Sequence, residues 1–404
     1  MMNLREFAQF SNDIAGEVNS RDNRPEFLDP SLLGEGTNWQ EAIFQKGLMQ
    51  QHQLSGQGGT ESVKYYVSGS FMDQEGTVIG TKFNRYAFRS NLDAQLKSWF
   101  KLGTNVMYSS TDERLNLVDS DEGIVKFSLL TPPDIPIYDI DGNYASVVRE
   151  GYTTLNPIAK ALSDDILLAR TKLNGSIFAD LNILKDLVLH TELGFDIGGS
   201  RAELFEPTLQ LGNWKRTINS SAWQRNNNKF WQLKNYLTYT KSFGQAHNLN
   251  AMIGQEAWES TYEHMRISAT NLPSNDIKNP RLGIDPQINS GFGSAAMSSF
   301  FGRFMYNYDD RYMATYTYRR DGSSNFGPKN RWADFHSFAA SWRFTNEEIF
   351  KSDTSILSDG KFRFGWGQTG NSNIGSYLWG SSISTMPTGL GPGYRQSNIA
   401  NPFI

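Results

Sequence analysis

The stretch RYMATYTYRRDG, Arg311 to Gly322, decides how the chain folds. Taking every second residue from Tyr312 gives Tyr312, Ala314, Tyr316 and Tyr318, and the residues between them are Met313, Thr315, Thr317 and Arg319. Side chains that alternate with period two belong to a β-strand, here with an aromatic side and a polar side. In a soluble protein the aromatic side needs a second sheet or helices over it. In a membrane it faces lipid, and the polar side then faces water inside a barrel.

The same pattern recurs along the chain. Tyr86, Phe88, Leu92, Ala94 and Leu96 oppose Arg85, Arg89, Asn91, Asp93 and Gln95, and Phe100, Leu102, Val106 and Tyr108 alternate with Lys101, Gly103, Asn105 and Met107. KFRFGWGQ, from Lys361, sets Phe362, Phe364 and Trp366 against Lys361, Arg363, Gly365 and Gly367. About a dozen such strands are expected, each close to the roughly 10 alternating residues of a transmembrane barrel strand. Short connections follow Leu96, Ile183, Phe243 and Tyr308. Long polar stretches occupy 110–169, 198–215, 261–295 and everything after Gly370. Short turns at one end and long loops at the other are the asymmetry of an outer-membrane barrel.

Charge placement points the same way. Arg85, Arg89, Arg303, Arg319, Arg343 and Arg363 fall on polar faces, and in a sandwich core each unpaired charge would cost several kcal/mol. A water-filled lumen removes that cost. Aromatics toward strand ends, such as Trp99, Tyr108, Tyr312, Trp332 and Trp342, suit interfacial girdles. The fold class expected is therefore all-β: an antiparallel transmembrane β-barrel with short periplasmic turns and long extracellular loops. Arg85, Arg89, Asp93, Arg303, Arg319, Arg343 and Arg363 form the candidate lumenal group. They either attract anionic groups on a substrate or build structural ladders with neighbouring carboxylates such as Asp93, Asp196 or Asp321, the commoner use of inward charge.

Composition narrows the remaining choices. Of the 404 residues 38% are hydrophobic and 20% charged, with 36 glycines and 13% aromatics, a mixture suited to short strands and turns rather than a helical core. No apolar run reaches the ~18 residues of a spanning helix, which leaves barrel strands open. A net charge of −4 argues against a nucleic-acid partner. With no cysteine, disulfides and thiolate chemistry are excluded. MMNLREFAQFSN carries Arg5 and Glu6 where a secretory signal has an apolar core, so no targeting segment is expected.

Chemical motifs are weak. Asp139-Ile140-Asp141-Gly142-Asn143 opens like a calcium loop but lacks the later bidentate glutamate, so a surface Asp-Gly turn is expected. Asp119, Asp121 and Glu122 read as a solvated loop. His52, His190, His247, His264 and His336 show no i, i+4 pair, and no glycine cluster has the GxxxxGK[ST] phosphate cradle. No catalytic, metal-binding or cofactor site is expected.

Three stretches resemble the SusC/RagA-like group of TonB-dependent outer-membrane receptors: Gly36 to Asp93, Arg311 to Phe350 and KFRFGWGQTGN from Lys361 to Asn371. The runs Arg-Arg-Asp-Gly-Ser-Ser and Gly-Gln-Thr-Gly-Asn carry most of the likeness. The resemblance implies a 22-stranded barrel in the cell outer membrane, closed by a plug. It also implies a SusD-like surface lipoprotein over the mouth and TonB driving uptake of oligosaccharide or peptide cargo. Against that pattern, no signal peptide, TonB box or plug is expected within this stretch, nor an aromatic-ended final strand at Asn401-Pro402-Phe403-Ile404. The expected organisation is a first barrel segment and loop over 1–60, following a missing plug, then barrel strands and extracellular loops over 61–404, ending before closure. Such a partial barrel exposes sheet edges and an apolar face, so it is expected to be insoluble in water. The alternative is a soluble β-rich carbohydrate-binding or carbohydrate-cleaving protein with Trp and Tyr as sugar platforms.

Overall fold

The computed structural model describes residues 2–18, 27–116, 123–146, 148, 149, 152, 153, 155–211, 214–350, 358–401 and 403. Twelve strands make one sheet: β1 (Met49–Gly59), β2 (Val63–Glu75), β3 (Lys82–Lys97), β4 (Phe100–Leu115), β5 (Asp165–Leu184), β6 (Leu187–Glu206), β7 (Ser220–Phe243), β8 (His247–Thr270), β9 (Ile284–Tyr308), β10 (Tyr312–Ser323), β11 (Trp332–Trp342) and β12 (Phe362–Gly367). Each pairs antiparallel with the next in chain order, a pure meander. Among the described residues the outer edges of β1 and β12 carry no partner strand.

The register carries the period-two pattern across strand boundaries. At the turn end Phe243, His247, Tyr308, Tyr312, Trp342 and Phe362 lie directly opposite one another from β7 to β12. Several neighbouring rings touch, with centroids 4.9 Å apart for His247 and Tyr308, 6.3 Å for Tyr308 and Tyr312 and 6.2 Å for Trp342 and Phe362. Further along the same face Tyr239, Ala251, Phe304, Tyr316, Phe338 and Trp366 form a second row. Tyr86, Phe88, Tyr108, Ile177, Leu193 and Ile197 continue the apolar face over β3 to β6, and all are exposed. So much contiguous exposed apolar surface requires a non-aqueous neighbour. Beyond the apolar rows this face turns polar: the Tyr318 hydroxyl donates to Asp334 at 2.6 Å, Tyr316 and His336 bond at 2.8 Å, and Arg320 lies over the Trp332 ring. An aromatic belt, an apolar band and a mixed aromatic-charged belt, in that order, are the profile of a wall crossing a bilayer.

The strands outrun the sequence expectation. β5 and β6 have 20 residues each, β7 and β8 have 24 and β9 has 25. At about 3.3 Å per residue, 24 residues reach roughly 80 Å along the strand. Even tilted by ~40° they rise far above an apolar band about 25 Å tall. Much of 198–215 and 261–295, expected to be loop, is therefore strand standing above the membrane level. Apolar residues such as Ile288 and Phe292 are spaced there between glycines and polar residues, which is why the hydrophobic period does not reveal it.

Short turns lie where expected. Asp309 and Asp310 both adopt the left-handed conformation (φ 52° and 54°), and the Arg311 amide donates to the Tyr308 carbonyl at 2.9 Å, closing a primed hairpin turn. The connection from β11 to β12 at this end is longer, and its described residues include a 3-10 turn, Phe344–Asn346.

The loop end holds a small separate core. Helix α1 (Leu4–Val18), α2 (Trp39–Ile43), α3 (Ile124–Leu130) and α4 (Pro157–Ser163) all lie outside the sheet. Trp39, Ile43, Val78, Ile124, Ile135 and Ile158 pack together, and the Trp39 indole donates to the Pro132 carbonyl at 3.0 Å. The described residues before Met49 thus contribute helices to the loop end, and among the described residues the first strand of the sheet begins at Met49.

Candidate functional site: the polar face of the sheet

On β3 and β4 the polar face presents Arg85, Arg89, Asp93 and Lys101; on β9, β10 and β12 it presents Arg303, Arg319 and Arg363. The register fixes this, since each sits one residue out of step with the aromatic rows. Gly103 makes room on the same face: a Cβ there would lie 2.2 Å from the Phe178 ring.

These residues divide by partnership. Arg319 is the hub of a wall network, reaching Asp321 at 2.6 Å, Glu256 at 3.4 Å and the Ser299 hydroxyl at 2.8 Å, with its guanidinium over the Phe301 ring. Asp93 pairs with Lys101 at 3.6 Å rather than with an arginine, and Asp196 pairs with Lys172 at 3.0 Å. Arg85, Arg89, Arg303 and Arg363 form no ion pair with another described residue, and the buried Nε of Arg85 has no hydrogen-bond partner. Arg343 lies elsewhere: one residue past β11, at the turn rim, it pairs with Asp310 at 2.7 Å and Asp359 at 3.2 Å. The aspartates of the turn draw it off the wall.

Two groupings escape period-two reading because they join residues from separate strands. His190 stacks between Phe178 and Tyr236 on the polar face, with its ring nitrogens facing Asp180 at 2.5 Å and Glu192 at 3.6 Å. At the turn rim Glu347 accepts from the Tyr312 hydroxyl (2.6 Å), the Trp342 indole (3.1 Å) and Arg311 (3.0 Å). Those donors, the Tyr312 hydroxyl foremost, hold the Glu347 carboxyl below its usual range. The hydrogen bond to Glu347 likewise raises Arg311.

Asp139 serves its own turn, accepting from the amides of Asp141 at 3.0 Å and Asn143 at 2.8 Å, with Gly142 at φ +82°. Asp119, Asp121 and Glu122 lie outside the described residues. No cluster of three or more metal-ligating side chains occurs among the described residues.

No family model matches the chain. Among curated proteins it is 30% identical over 350 residues to the TonB-dependent receptor P3 of Formosa agariphila, covering 84% of this chain and 35% of that one. It is 28% identical over 375 residues to the TonB-dependent receptor SusC of Bacteroides thetaiotaomicron, covering 86% and 36%. The chain thus spans about a third of the length of these relatives. Among solved structures it superposes on the RagAB peptide transporter with a TM-score of 0.79 at 24% identity, over 97% of this chain and 45% of that one, which fixes the fold. The sequence likeness to these receptors over 84% to 86% of the chain places it in the SusC/RagA-like family of TonB-dependent receptors, and its twelve meandering strands, with one apolar and one polar face, are part of a β-barrel wall.

Proposed function

We propose that the protein works in the cell outer membrane as the wall of a TonB-energised nutrient transporter, taking up oligosaccharide or peptide cargo together with a SusD-like surface lipoprotein. The observation that carries this is the pairing of a largely apolar face, with two aromatic rows running across β7 to β12, with a charged, hydrogen-bonded opposite face of the same sheet. Only a wall between lipid and water needs both. The RagAB likeness favours peptide cargo, and the SusC likeness keeps glycans in view.

On this reading Arg85, Arg89, Arg303 and Arg363 face the lumen and meet carboxylates of whatever fills it, whether plug or cargo. Arg319 and Asp93 are held by the wall itself. Contact with TonB runs through a plug.

The test is growth. Loss of the gene should abolish growth of the host on one class of oligosaccharide or peptide as sole nutrient, and loss of TonB function should do the same. A SusD-like lipoprotein should co-purify in detergent. Normal growth on every such nutrient, with the protein recovered in the aqueous fraction and binding glycan there, would favour the soluble carbohydrate-binding alternative instead.

A further inference from the structure

The face that carries the apolar rows holds an unusual charge arrangement just past them. Arg225 of β7 lies directly opposite Arg201 of β6, and Arg114 of β4 lies directly opposite Lys82 of β3. Like charges directly opposite one another destabilise an antiparallel pair. Lys82, Arg114 and Arg201 line one surface cavity of about 290 Å³, floored by Leu167 and Ala169 of β5 and shared with the carboxylates of Asp112, Glu113 and Glu203, and Arg225 stands next to it, opposite Arg201. Three of the cations have carboxylate neighbours: Lys82 with Asp73 at 3.4 Å, Arg114 with Asp165 at 2.9 Å and Arg201 with Glu203 at 3.3 Å. Arg225 is exposed and forms no ion pair with another described residue, and the buried Arg114 Nε lacks a hydrogen-bond partner.

Height matters as much as charge. The last continuous apolar row here is Phe88, Tyr108, Leu173 and Ile197. Arg201 follows Ile197 by four residues, which at about 3.4 Å per residue and a tilt near 40° puts it roughly 10 Å farther from the turns. That is the level of lipid headgroups above a hydrocarbon band.

We propose that this patch binds a phosphorylated glycolipid headgroup of the loop-side leaflet. A phosphate accepts from the forked donors of Arg201 and Arg225 together and relieves their repulsion. The apolar row beneath takes the acyl chains, and the shallow Ala169 floor admits a sugar. The inference rests on the barrel-wall reading, because only then does this face meet lipid.

The experiment uses the protein purified in mild detergent from the outer membrane of its host. Heat-modifiable gel migration first reports whether it is a folded barrel; a protein soluble without detergent fails at this step, and that failure belongs to the barrel reading alone. Native mass spectrometry then titrates monophosphoryl lipid A, the same lipid with its phosphate removed, and inorganic phosphate. The phosphorylated lipid should bind at least tenfold more tightly than its dephosphorylated form. Arg201→Gln with Arg225→Gln should abolish that difference, while Arg201→Lys with Arg225→Lys should retain most of it. The glutamine variant, freed of repulsion, should melt no lower than the parent without lipid and gain nothing when lipid is added. Equal binding of both lipids, undiminished binding by the glutamine variant, or inorganic phosphate bound as tightly as the lipid would each overturn the proposal.

Discussion

Phe304 and Met305 are neighbours on β9 that face opposite ways, and arginine at the two positions should have opposite consequences. Phe304 stands in the second aromatic row, 48% exposed, between Ala251 and Tyr316. It precedes Tyr308 of the turn-end belt by four residues, so at about 3.4 Å per residue and a tilt near 40° it sits roughly 10 Å into the apolar band, close to the midplane. Arginine there costs about 2–4 kcal/mol in charge burial, and removing the ring adds about 1–2 kcal/mol more. Met305 is 38% exposed on the polar face, and Met305→Arg, facing water, should cost less than ~1 kcal/mol. Urea titrations in lipid vesicles, read by heat-modifiable migration and tryptophan fluorescence, give both values. Equal costs, or a Phe304→Arg cost below ~1 kcal/mol, would refute a lipid-facing aromatic side.

Other substitutions probe the rest of the structure. Trp39→Ala, which empties the centre of the loop-end core, should cost that core about 3–5 kcal/mol; hydrogen exchange should quicken in α3 while β7 to β9 stay protected. Gly103→Ala drives a methyl into the Phe178 ring and should cost about 1–3 kcal/mol in urea titrations. Arg319 is about a third exposed, so a double-mutant cycle with Glu256→Gln should return a coupling of only about 1 kcal/mol. Glu347 has a lowered folded pKa, so its tie from the segment after β11 to Tyr312, Trp342 and Arg311 is present above the ordinary glutamate range and is lost as pH falls through the folded value. Amide exchange at Phe344–Asn346 should quicken on acidification in the parent, and Glu347→Gln should flatten that dependence.

The strands crossing the apolar band were legible in the sequence because period two is strict where one face meets an apolar medium. Tyr312 to Tyr318 and Phe362 to Trp366 show it without interruption. The upper parts of β6 to β9 were not legible, since glycines and polar residues interrupt the alternation there, Gly198 and Gly199 on β6 and the glycines flanking Phe292 on β9 among them. The helices at the loop end were hidden too. α3 and α4 span seven residues each and owe their burial to Trp39 and Val78, remote in sequence. Of the candidate residues, placement on the polar face followed from parity for Arg85, Arg89, Asp93, Arg303, Arg319 and Arg363. Partnership did not, because whether an arginine meets a carboxylate depends on register between strands. Arg343 shows where parity fails: the strand ends one residue before it, and turn aspartates capture it.

The chain contains no cysteine, so single cysteines at 313 through 318 can each carry a spin label without background. Collision with oxygen, which concentrates in lipid, and with a water-soluble nickel complex then reports the surroundings of each β10 side chain in vesicles. A barrel wall predicts oxygen-rich collisions at Ala314→Cys, Tyr316→Cys and Tyr318→Cys, and nickel-rich collisions at Met313→Cys, Thr315→Cys and Thr317→Cys. Nickel-rich collisions at all six positions, or no alternation between them, would contradict it.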